Sequence, residues 1–272
     1  MVLFPNCKIN LGLNITGKRE DGYHDLVTVF YPIPLKDALE AVVADQDASA
    51  VRFTSSGLPI SGVPENNLCL KAWGLLKKDI PDLRHVQIHL HKAIPMGAGL
   101  GGGSANGAFT LLLLNKLLQL GLTEKQLLQY ALQLGSDCPF FIKNKPCLAT
   151  GRGEIMEDIN LDLSGFHFVL VNPDIHISTA EAFAGIIPVK PEISIAELIK
   201  SPVDTWKNRL TNDFEKSIEK KHPVISHIKS SLYNHGALYA SMSGSGSTVY
   251  GIFPEKKPAG FLQNSGWHIY QL

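Results

Sequence analysis

A run of glycines between a predicted strand and a predicted helix constrains this chain most. Residues 95–106 read Pro-Met-Gly-Ala-Gly-Leu-Gly-Gly-Gly-Ser-Ala-Asn. Alternating apolar residues over 86–90 predict a half-buried strand, and the alanine- and leucine-rich stretch 104–120 predicts a buried helix. Glycines permit positive φ angles and let an anion approach the backbone, and a helix start adds unpaired N–H donors. We therefore expect a loop that binds a polyphosphate, with a flexible linker as the alternative.

The glycine loop fits neither of two common phosphate-binding motifs. No Gly-Lys-Ser/Thr closes it, which excludes a Walker A loop. Residues 97–102 match G-x-G-x-x-G, but the glycine run continues to Gly103. The acidic residue expected near 115–120 in a dinucleotide-binding fold is missing, and the first one downstream is Glu124. A third kind of phosphate loop is indicated.

Composition and charge narrow the class of protein. The 272 residues carry 25 Lys plus Arg and 25 Asp plus Glu, and 44% are hydrophobic. A neutral globular chain is predicted to have no nucleic-acid or membrane partner. The four cysteines are scattered without metal-site spacing, and the N-terminus lacks signal-peptide features. We expect a cytoplasmic protein with reduced thiols, at Cys7, Cys69, Cys138 and Cys147.

Several strands precede the first long helix, which favours an α+β fold. From Cys7 the chain alternates, and Lys8, Asn10, Gly12 and Asn14 form a polar row facing a groove or solvent. A turn-rich loop over 17–25 contains an aromatic–imidazole pair. Strand-like residues return over 26–34, and residues 37–53 predict a further hairpin.

The helices that follow have recognisable ends. Asn67 is a plausible N-cap for a helix over 68–79, and Thr123 caps a helix ending before Gly135. Asp137 then lies at a helix–loop junction, where its side chain either points into a cleft or serves as an ordinary N-cap. A second glycine loop, residues 243–247, lies between two strand-like segments, and a flexible hairpin turn is its alternative interpretation.

Three stretches together carry a family resemblance. They are Pro5-x-x-Lys-Ile-Asn-Leu, the loop Pro-Met-Gly-x-Gly-Leu-Gly-Gly-Gly-Ser from residue 95, and Ser-x-Ser-Gly-Ser-Gly from residue 241. In this order they resemble the GHMP kinases over nearly the whole chain. The resemblance implies an α+β two-domain fold, with an N-terminal ATP-binding α/β domain on a mixed or antiparallel sheet and a C-terminal ferredoxin-like domain. The implied division is 1–157 and 158–272, with the active site in the cleft between the domains.

Two further segments narrow the resemblance. The loop Arg19-x-Asp-Gly-Tyr-His and the segment Leu-Gly-Ser-Asp-Cys-Pro-Phe over 134–140 are similar to family members that act on a cytidine-diphosphate-linked methylerythritol. The implied activity is ATP-dependent phosphorylation of the 2-hydroxyl of that small molecule, in the non-mevalonate isoprenoid pathway. Ser136 stands where these members often have alanine, and the carboxy-terminal part is shorter.

The resemblance assigns roles residue by residue. Asp137 would take the proton from the acceptor hydroxyl and Lys8 would keep that carboxylate ionised, although such a pair could equally be a structural salt bridge. ATP would be held by Pro95, Met96, Gly97, Ala98, Gly99, Leu100, Gly101, Gly102, Gly103, Ser104, Asn66 and Asn67. Substrate would be held by Asn10, Tyr23, His24, Lys92, Thr179, Phe183, Ser243 and Gly244. Mg²⁺ would be coordinated mainly by ATP oxygens, with Ser104 as a candidate ligand.

Competing interpretations stay open at this point. A GHMP kinase of the mevalonate or homoserine type has the same chemistry and a different pocket, and the Tyr23-His24 pair argues against it. A non-catalytic ATP-binding regulator should have lost Lys8 or Asp137, and both are present. A dinucleotide-dependent dehydrogenase is a distant third. The expected assembly is a monomer or a weak homodimer.

Overall fold

A computed structural model describes residues 1–44, 50–60, 62–258, 260–262 and 266–272. The chain forms two compact units, each built from separate segments. The first unit comprises Met1–Cys7, Pro34–Met96 and Gly101–Lys145, and the second comprises Lys8–Ile33, Gly97–Leu100 and Pro146–Leu272. The sequence predicted a linear division at 157/158. That division stays a prediction, because the compact units are drawn from discontinuous segments that it does not describe.

The first unit combines a four-stranded sheet with four helices. The sheet order is β1-β4-β6-β5. The strands are β1 (Val2–Leu3), β4 (Ala38–Val43), β5 (Val51–Gly57) and β6 (Val86–Lys92), and the helices are α1 (Leu68–Asp79), α2 (Gly102–Leu117), α3 (Glu124–Leu134) and α4 (Cys138–Lys143). Helix α2 packs against the other three helices and β4, so the residues after the glycine loop form the core of this unit.

The predicted hairpin over residues 37–53 is wrong. Strand β4 pairs antiparallel with β6, Ala38 opposite His91, whereas β5 pairs parallel with the other edge of β6, Val51 opposite Val86. Strands β5 and β6 are joined through helix α1, and a parallel pair requires such a crossover. Residues 45–49 of the predicted hairpin lie outside the described residues. The parallel pair makes this sheet mixed, as the resemblance implied.

The predicted helix ends are confirmed. The Asn67 side chain accepts a hydrogen bond from the Cys69 amide at 2.8 Å. Thr123 forms a capping box with Gln126, and Gly135 ends α3. Helix α2 begins at Gly102, two residues before the predicted start.

The second unit contains two four-stranded sheets. One has the order β2-β3-β7-β8 and the other the antiparallel order β10-β11-β9-β12. The strands are β2 (Asn6–Lys18), β3 (His24–Lys36), β7 (Cys147–Thr150), β8 (Ile155–Asp158), β9 (His167–Asn172), β10 (Tyr239–Met242), β11 (Val249–Phe253) and β12 (His268–Gln271). The first residues of β2 and the last of β3 belong to the first unit.

The helices of the second unit close its apolar core. They are α5 (Thr179–Phe183), α6 (Ile195–Leu198), α7 (Glu215–Lys221) and α8 (Pro223–Asn234), with a single 3₁₀ turn at Val203–Thr205. Alternate residues of β9 and β11 pack against α7 and α8, in a cluster that includes Val169, Val171, Val249, Ile218 and Ile228. Burial of these side chains stabilises the sheet that carries the second glycine loop.

The polar row predicted on β2 does not face solvent. Lys8 is 4% exposed and Asn10 is 3% exposed. Both faces of this strand are therefore buried, and its polar side chains must find partners inside the protein. None of the helices within the described ranges is long and apolar enough to cross a membrane.

Candidate active site

The first glycine loop adopts the backbone conformations that its sequence predicts. Gly97, Gly99 and Gly101 have φ angles of 63°, 77° and 68°. The Ala105 N–H donates to the Gly101 carbonyl at 2.8 Å and closes the first turn of α2. The preceding amides, of residues 102–104, therefore have no partner within the helix. Unpaired amides and the positive end of a helix dipole together favour an anion at such a position.

A cavity in the first unit lies beside this helix start. Its volume is about 120 Å³, and its wall contains Ile60, Asn66, Asn67, Leu68, Leu90, Met96, Gly103 and Asn106. Four of these residues, Asn66, Asn67, Met96 and Gly103, were predicted to hold ATP from widely separated parts of the sequence. Apolar walls with a few amide groups suit a planar heterocycle. The first unit therefore places a small, partly apolar cavity next to the amides at the start of α2.

Lys92 lies beneath the helix start and is fully buried. Its ammonium donates to the Asp37 carboxylate, and both side chains have 0% exposure. Asp37 also accepts from Asn106 Nδ2 at 2.8 Å and from the amides of Ala93 and Ile94. Burial lowers the pKa of Lys92 against the raising effect of Asp37. A substrate contact was expected for Lys92, but its ammonium is already paired in the interior.

The buried pair supports the first turn of α2. A Cβ at Gly102 would lie 2.9 Å from Lys92 Nζ and 2.9 Å from a methyl carbon of Ile94. Only glycine fits there without a shift of one of these neighbours. Lys92 and Asp37 therefore determine how closely the helix start approaches β6.

Ser104 and Asp137 are brought near one another within the first unit. The Ser104 side chain hydrogen bonds with the Cys138 thiol, the residue directly after Asp137. Burial raises the pKa of Cys138 to about 12 despite that hydrogen bond, so the thiol stays protonated. Asp137 occupies the N-cap position of α4, yet its side chain makes no capping hydrogen bond. Its carboxylate therefore does not serve as an ordinary N-cap.

In the second unit, Lys8 and Asn10 form part of a buried polar chain. Lys8 Nζ donates to Asn10 Oδ1 at 2.5 Å and lies 4.7 Å from the centre of the Phe30 ring. Asn10 Nδ2 donates to Thr28 Oγ1 at 3.0 Å, and the Thr28 hydroxyl donates to the Gly12 carbonyl at 2.5 Å. These contacts fix the Lys8 side chain beside Asn10.

Ser243 joins this chain to the first glycine loop. Its hydroxyl accepts from the Asn10 amide at 3.3 Å and donates to the Gly99 carbonyl at 2.8 Å. The Lys8 amide donates to the Leu100 carbonyl at 3.0 Å. Gly244, with a φ of 56°, would bring a Cβ to 3.2 Å from Asn10 Oδ1. Five predicted residues, Lys8, Asn10, Gly99, Leu100 and Ser243, are thus joined by hydrogen bonds.

A separate aromatic cluster contains the other predicted substrate residues of this unit. The His24 and Phe183 rings stack with centroids 4.7 Å apart and an interplanar angle of 23°. Tyr23 is 56% exposed, and the Arg152 guanidinium lies over its ring at 5.0 Å. Thr179 begins α5 and precedes Phe183 by four residues, one helical turn away on the same face.

Comparison with known proteins gives the family. The description "GHMP kinases N terminal domain" matches residues 67–145, and "GHMP kinases C terminal" matches residues 194–265. A relative from Bacteroides fragilis, named 4-diphosphocytidyl-2-C-methyl-D-erythritol kinase, is 54% identical over 94% of this chain and 94% of its own length. One from Parabacteroides distasonis with the same name is 50% identical over 97% and 95%. The chain belongs to the GHMP kinases.

Solved structures of two kinases share the fold. A crystal structure of 4-(cytidine 5'-diphospho)-2C-methyl-D-erythritol kinase is 29% identical, with a TM-score of 0.80 over 93% of this chain and 90% of that one. A homoserine kinase from Cytophaga hutchinsonii is 18% identical, with a TM-score of 0.63 over 99% and 93%. The predicted α+β two-domain class is confirmed.

The residues of this GHMP kinase fit a nucleotide better than a protein-bound metal. Glycines without Cβ atoms, a helix start and a neighbouring cavity suit an ATP molecule. Across the ranges that the structure describes, no group of three or more His, Cys, Asp or Glu is placed to hold a metal ion. Ser104, the predicted ligand, supplies one hydroxyl, which is hydrogen bonded with Cys138.

Several residues at these sites were missed from the sequence. Asp37 and Asn212 occur singly, outside any motif, although both are buried and multiply hydrogen bonded. Ile60, Leu68 and Leu90 form cavity walls, but each is an ordinary apolar residue in its own element. The one signal in the sequence that could have identified Asp37 as a site residue was its position as an acidic residue between two predicted strands.

Proposed function

We propose that this GHMP kinase transfers the γ-phosphoryl group of ATP to the 2-hydroxyl of 4-diphosphocytidyl-2-C-methyl-D-erythritol. The products are the 2-phosphate of this substrate and ADP. The reaction belongs to the non-mevalonate isoprenoid pathway, and the protein acts in the cytoplasm. The 54% identity to a kinase of that name over 94% of the chain is the observation that carries the proposal. The phosphate loop supplies the kinase chemistry, and the aromatic cluster supplies the preference for a cytidine group.

Asp137 is the proposed general base. It takes the proton of the 2-hydroxyl while that oxygen forms a bond to the γ-phosphorus and the bond to the ADP oxygen breaks. Asp137 lies at the start of α4, directly before Cys138, whose thiol is hydrogen bonded with Ser104 of the phosphate loop, and this placement supports a role in chemistry. Lys8, fixed by Asn10, contributes positive charge that favours the ionised carboxylate and the transferring phosphoryl group. Mg²⁺ bound to ATP neutralises charge on the phosphates.

The proposed ATP contacts lie along the glycine loop and the cavity. The amides of residues 97–104 bind phosphate oxygens, and Asn66 and Asn67 recognise the adenine end. Lys92 is proposed to support the loop from below, because its ammonium is paired with Asp37.

The proposed cytidine site is the aromatic cluster. Tyr23 stacks on the base, His24 hydrogen bonds to its edge, and Phe183 forms the opposite wall with Thr179 nearby. The His24–Phe183 stack supports this, since it places α5 against the first residue of β3, directly after Tyr23. Asn10, Ser243 and Gly244 are proposed to contact the methylerythritol end of the substrate, where the hydroxyl is phosphorylated.

A substrate panel tests the proposal. ATP consumption would be measured with the cytidylyl substrate, mevalonate and homoserine, for wild type and Asp137→Asn. Turnover is expected with the cytidylyl substrate alone, and Asp137→Asn should reduce kcat about 100- to 10,000-fold. Asp79→Asn is the matched control, because Asp79 is exposed and bonds to Tyr130.

The outcomes separate the competing functions. Turnover of mevalonate or homoserine would overturn the substrate assignment, and ADP binding without turnover of any alcohol would favour a regulator. Tyr23→Ala should raise KM for the cytidylyl substrate about tenfold, since stacking on a base contributes about 1–3 kcal/mol, and leave KM for ATP unchanged.

A further inference from the structure

The second glycine loop is held by the side chain of Asn212. Its Nδ2 donates to the carbonyls of Met242 and Gly244, each at 2.8 Å. Its Oδ1 accepts the Phe214 amide at 3.0 Å, and the residue is 3% exposed. Both hydrogens of the carboxamide are therefore used to hold the start of the loop.

Asn212 is fixed to the strand that carries Lys8 and Asn10. The Leu13 amide donates to the Thr211 carbonyl at 2.9 Å, and the Asp213 amide donates to the Leu13 carbonyl at 2.8 Å. The Asp213 carboxylate accepts from the Ile15 amide at 2.7 Å. The carboxamide of Asn212 thus projects from a segment that β2 holds in place.

The second glycine loop in turn contacts the first glycine loop and limits where its backbone can lie. Ser243 donates to the Gly99 carbonyl at 2.8 Å, and the Thr248 amide donates to the Ala98 carbonyl at 3.2 Å. A Cβ at Gly99 would lie 1.9 Å from the Ser243 carbonyl oxygen. The two backbones are in direct contact, so a displacement of Ser243 must also displace Gly99.

We propose that Asn212 is a positioning residue for phosphoryl transfer, which rests on the proposed function. Its carboxamide sets the position of Ser243 and Gly244, and through Ser243 it sets the geometry of Gly99 in the phosphate loop. The carboxamide oxygen accepts the Phe214 amide, and the Phe214 ring packs edge-on against Phe183 of the aromatic cluster, with centroids 4.9 Å apart. Loss of the two Nδ2 hydrogen bonds alone, with the oxygen kept, should therefore weaken binding of the ATP phosphates and spare binding of cytidine.

Asn212→Asp is the sharpest test. The variant keeps the size of the side chain and the acceptor for Phe214, but it turns an oxygen toward two carbonyls. We expect Kd for ADP and KM for ATP to rise about tenfold, as two hydrogen bonds are lost, with Kd for CMP changed less than about twofold. Asn115→Asp is the matched control, since Asn115 also donates to a carbonyl and accepts an amide, at Leu122. It should leave all three constants unchanged.

Ser243→Ala tests the same link without altering Asn212, should Asn212→Asp fail to fold. It should weaken ADP binding and spare CMP binding. The variant that combines Asn212→Asp with Ser243→Ala should bind ADP as tightly as whichever single variant binds ADP less tightly. Unchanged ADP binding in Asn212→Asp, an equal loss for ADP and CMP, or additive losses in the double variant would overturn the inference alone. Wild-type protein that binds ADP but phosphorylates nothing would overturn the proposed function instead.

Discussion

The two glycine loops rest on supports of different chemistry. In the first unit, the start of α2 lies on a buried ion pair, Lys92 with Asp37, which also accepts two backbone amides. In the second unit, the loop over residues 243–247 is held by the neutral carboxamide of Asn212. Both supports are buried and multiply hydrogen bonded, yet one consists of charged groups and the other does not.

The difference predicts which support affects stability and which affects function. Removing one partner of a buried ion pair leaves a charge without compensation, and this costs more than the pair itself contributes. Removing a neutral amide costs only its hydrogen bonds. A substitution of Asp37 should therefore destabilise the first unit. A substitution of Asn212 should leave a folded enzyme in which the loop over residues 243–247 is displaced.

Asp37→Asn should show the largest effect on stability. The substitution places an amide group against the Lys92 ammonium and Asn106 Nδ2, both of which are donors. We expect a loss of about 3–5 kcal/mol in the free energy of unfolding, measured by urea denaturation at pH 7.5.

Two further variants sharpen that result. Asp37→Asn combined with Lys92→Met removes the isolated charge, and it should recover part of the loss. Asp79→Asn, at an exposed site, should change the free energy of unfolding by less than about 0.5 kcal/mol. A loss below about 1 kcal/mol for Asp37→Asn would mean that the ion pair does not dominate this support.

The next prediction compares two glycines of the first loop. Gly99 has a φ of 77°, and a Cβ there would meet the Ser243 carbonyl, whereas a Cβ at Gly103 would lie 3.7 Å from the end of the Met96 side chain. Gly99→Ala should therefore lower stability by about 2–3 kcal/mol, through backbone strain and collision. Gly103→Ala should leave stability unchanged or raise it by up to about 1 kcal/mol, because alanine favours a helix.

Thermal and urea unfolding of both variants check this pair. Equal losses would contradict the packing account of the loop. Because Gly103 lines the cavity, weaker ADP binding by a stable Gly103→Ala protein would indicate that ligand access, and not folding, requires glycine there.

The sequence predicted the local features of the fold well. Asn67, Thr123 and Gly135 were identified as helix ends from their own chemistry, which depends on neighbours within a few residues. The hairpin over 37–53 failed because strand order is decided by distant residues. Strand β6, the true partner of β4 and β5, follows an entire helix later. Adjacent strands often pair, and here a parallel crossover replaced that pairing.

The site residues also fall into those that the sequence could predict and those that it could not. The glycine loops and the Tyr23-His24 pair were visible because their chemistry lies in consecutive residues. Asp37 and Asn212 were not, since each acquires its role only when folding brings distant carbonyls, amides or a lysine to it. Lys92 was assigned to substrate only because the family resemblance implies it. Its complete burial beside Asp37 could not be read from the sequence.

A second lysine–carboxylate pair, Lys229 with Glu215, lies next to the second glycine loop and is less buried than the pair of Lys92 with Asp37. Glu215 accepts from Ser241 Oγ at 2.8 Å and from the Met242 amide at 2.7 Å, just before the second loop, and Lys229 donates to it. Burial lowers the pKa of Lys229, but Glu215 and Glu219 outweigh that effect and the net pKa is raised. In Lys92 burial prevails and the pKa is lowered. Lys229 is 27% exposed and Lys92 is 0% exposed, which accounts for the opposite directions.

Among the variants predicted to destabilise the protein, Lys229→Met has the smallest predicted loss of stability, and this loss depends on pH. A lysine whose pKa is raised by folding stabilises the protein fully below its unfolded pKa of about 10.4, and this stabilisation is lost as the pH rises through the folded pKa. Urea unfolding should show the wild type more stable by about 1–2 kcal/mol at pH 8, with the difference shrinking toward pH 11. A difference that stays constant or grows with pH would contradict the assignment. ADP binding at pH 8 should be unchanged, because Glu215 keeps its bonds to Ser241 and Met242. If Lys229→Met instead weakened ADP binding as much as Asn212→Asp, charge would position the second loop as well, and the contrast between the two supports would fail.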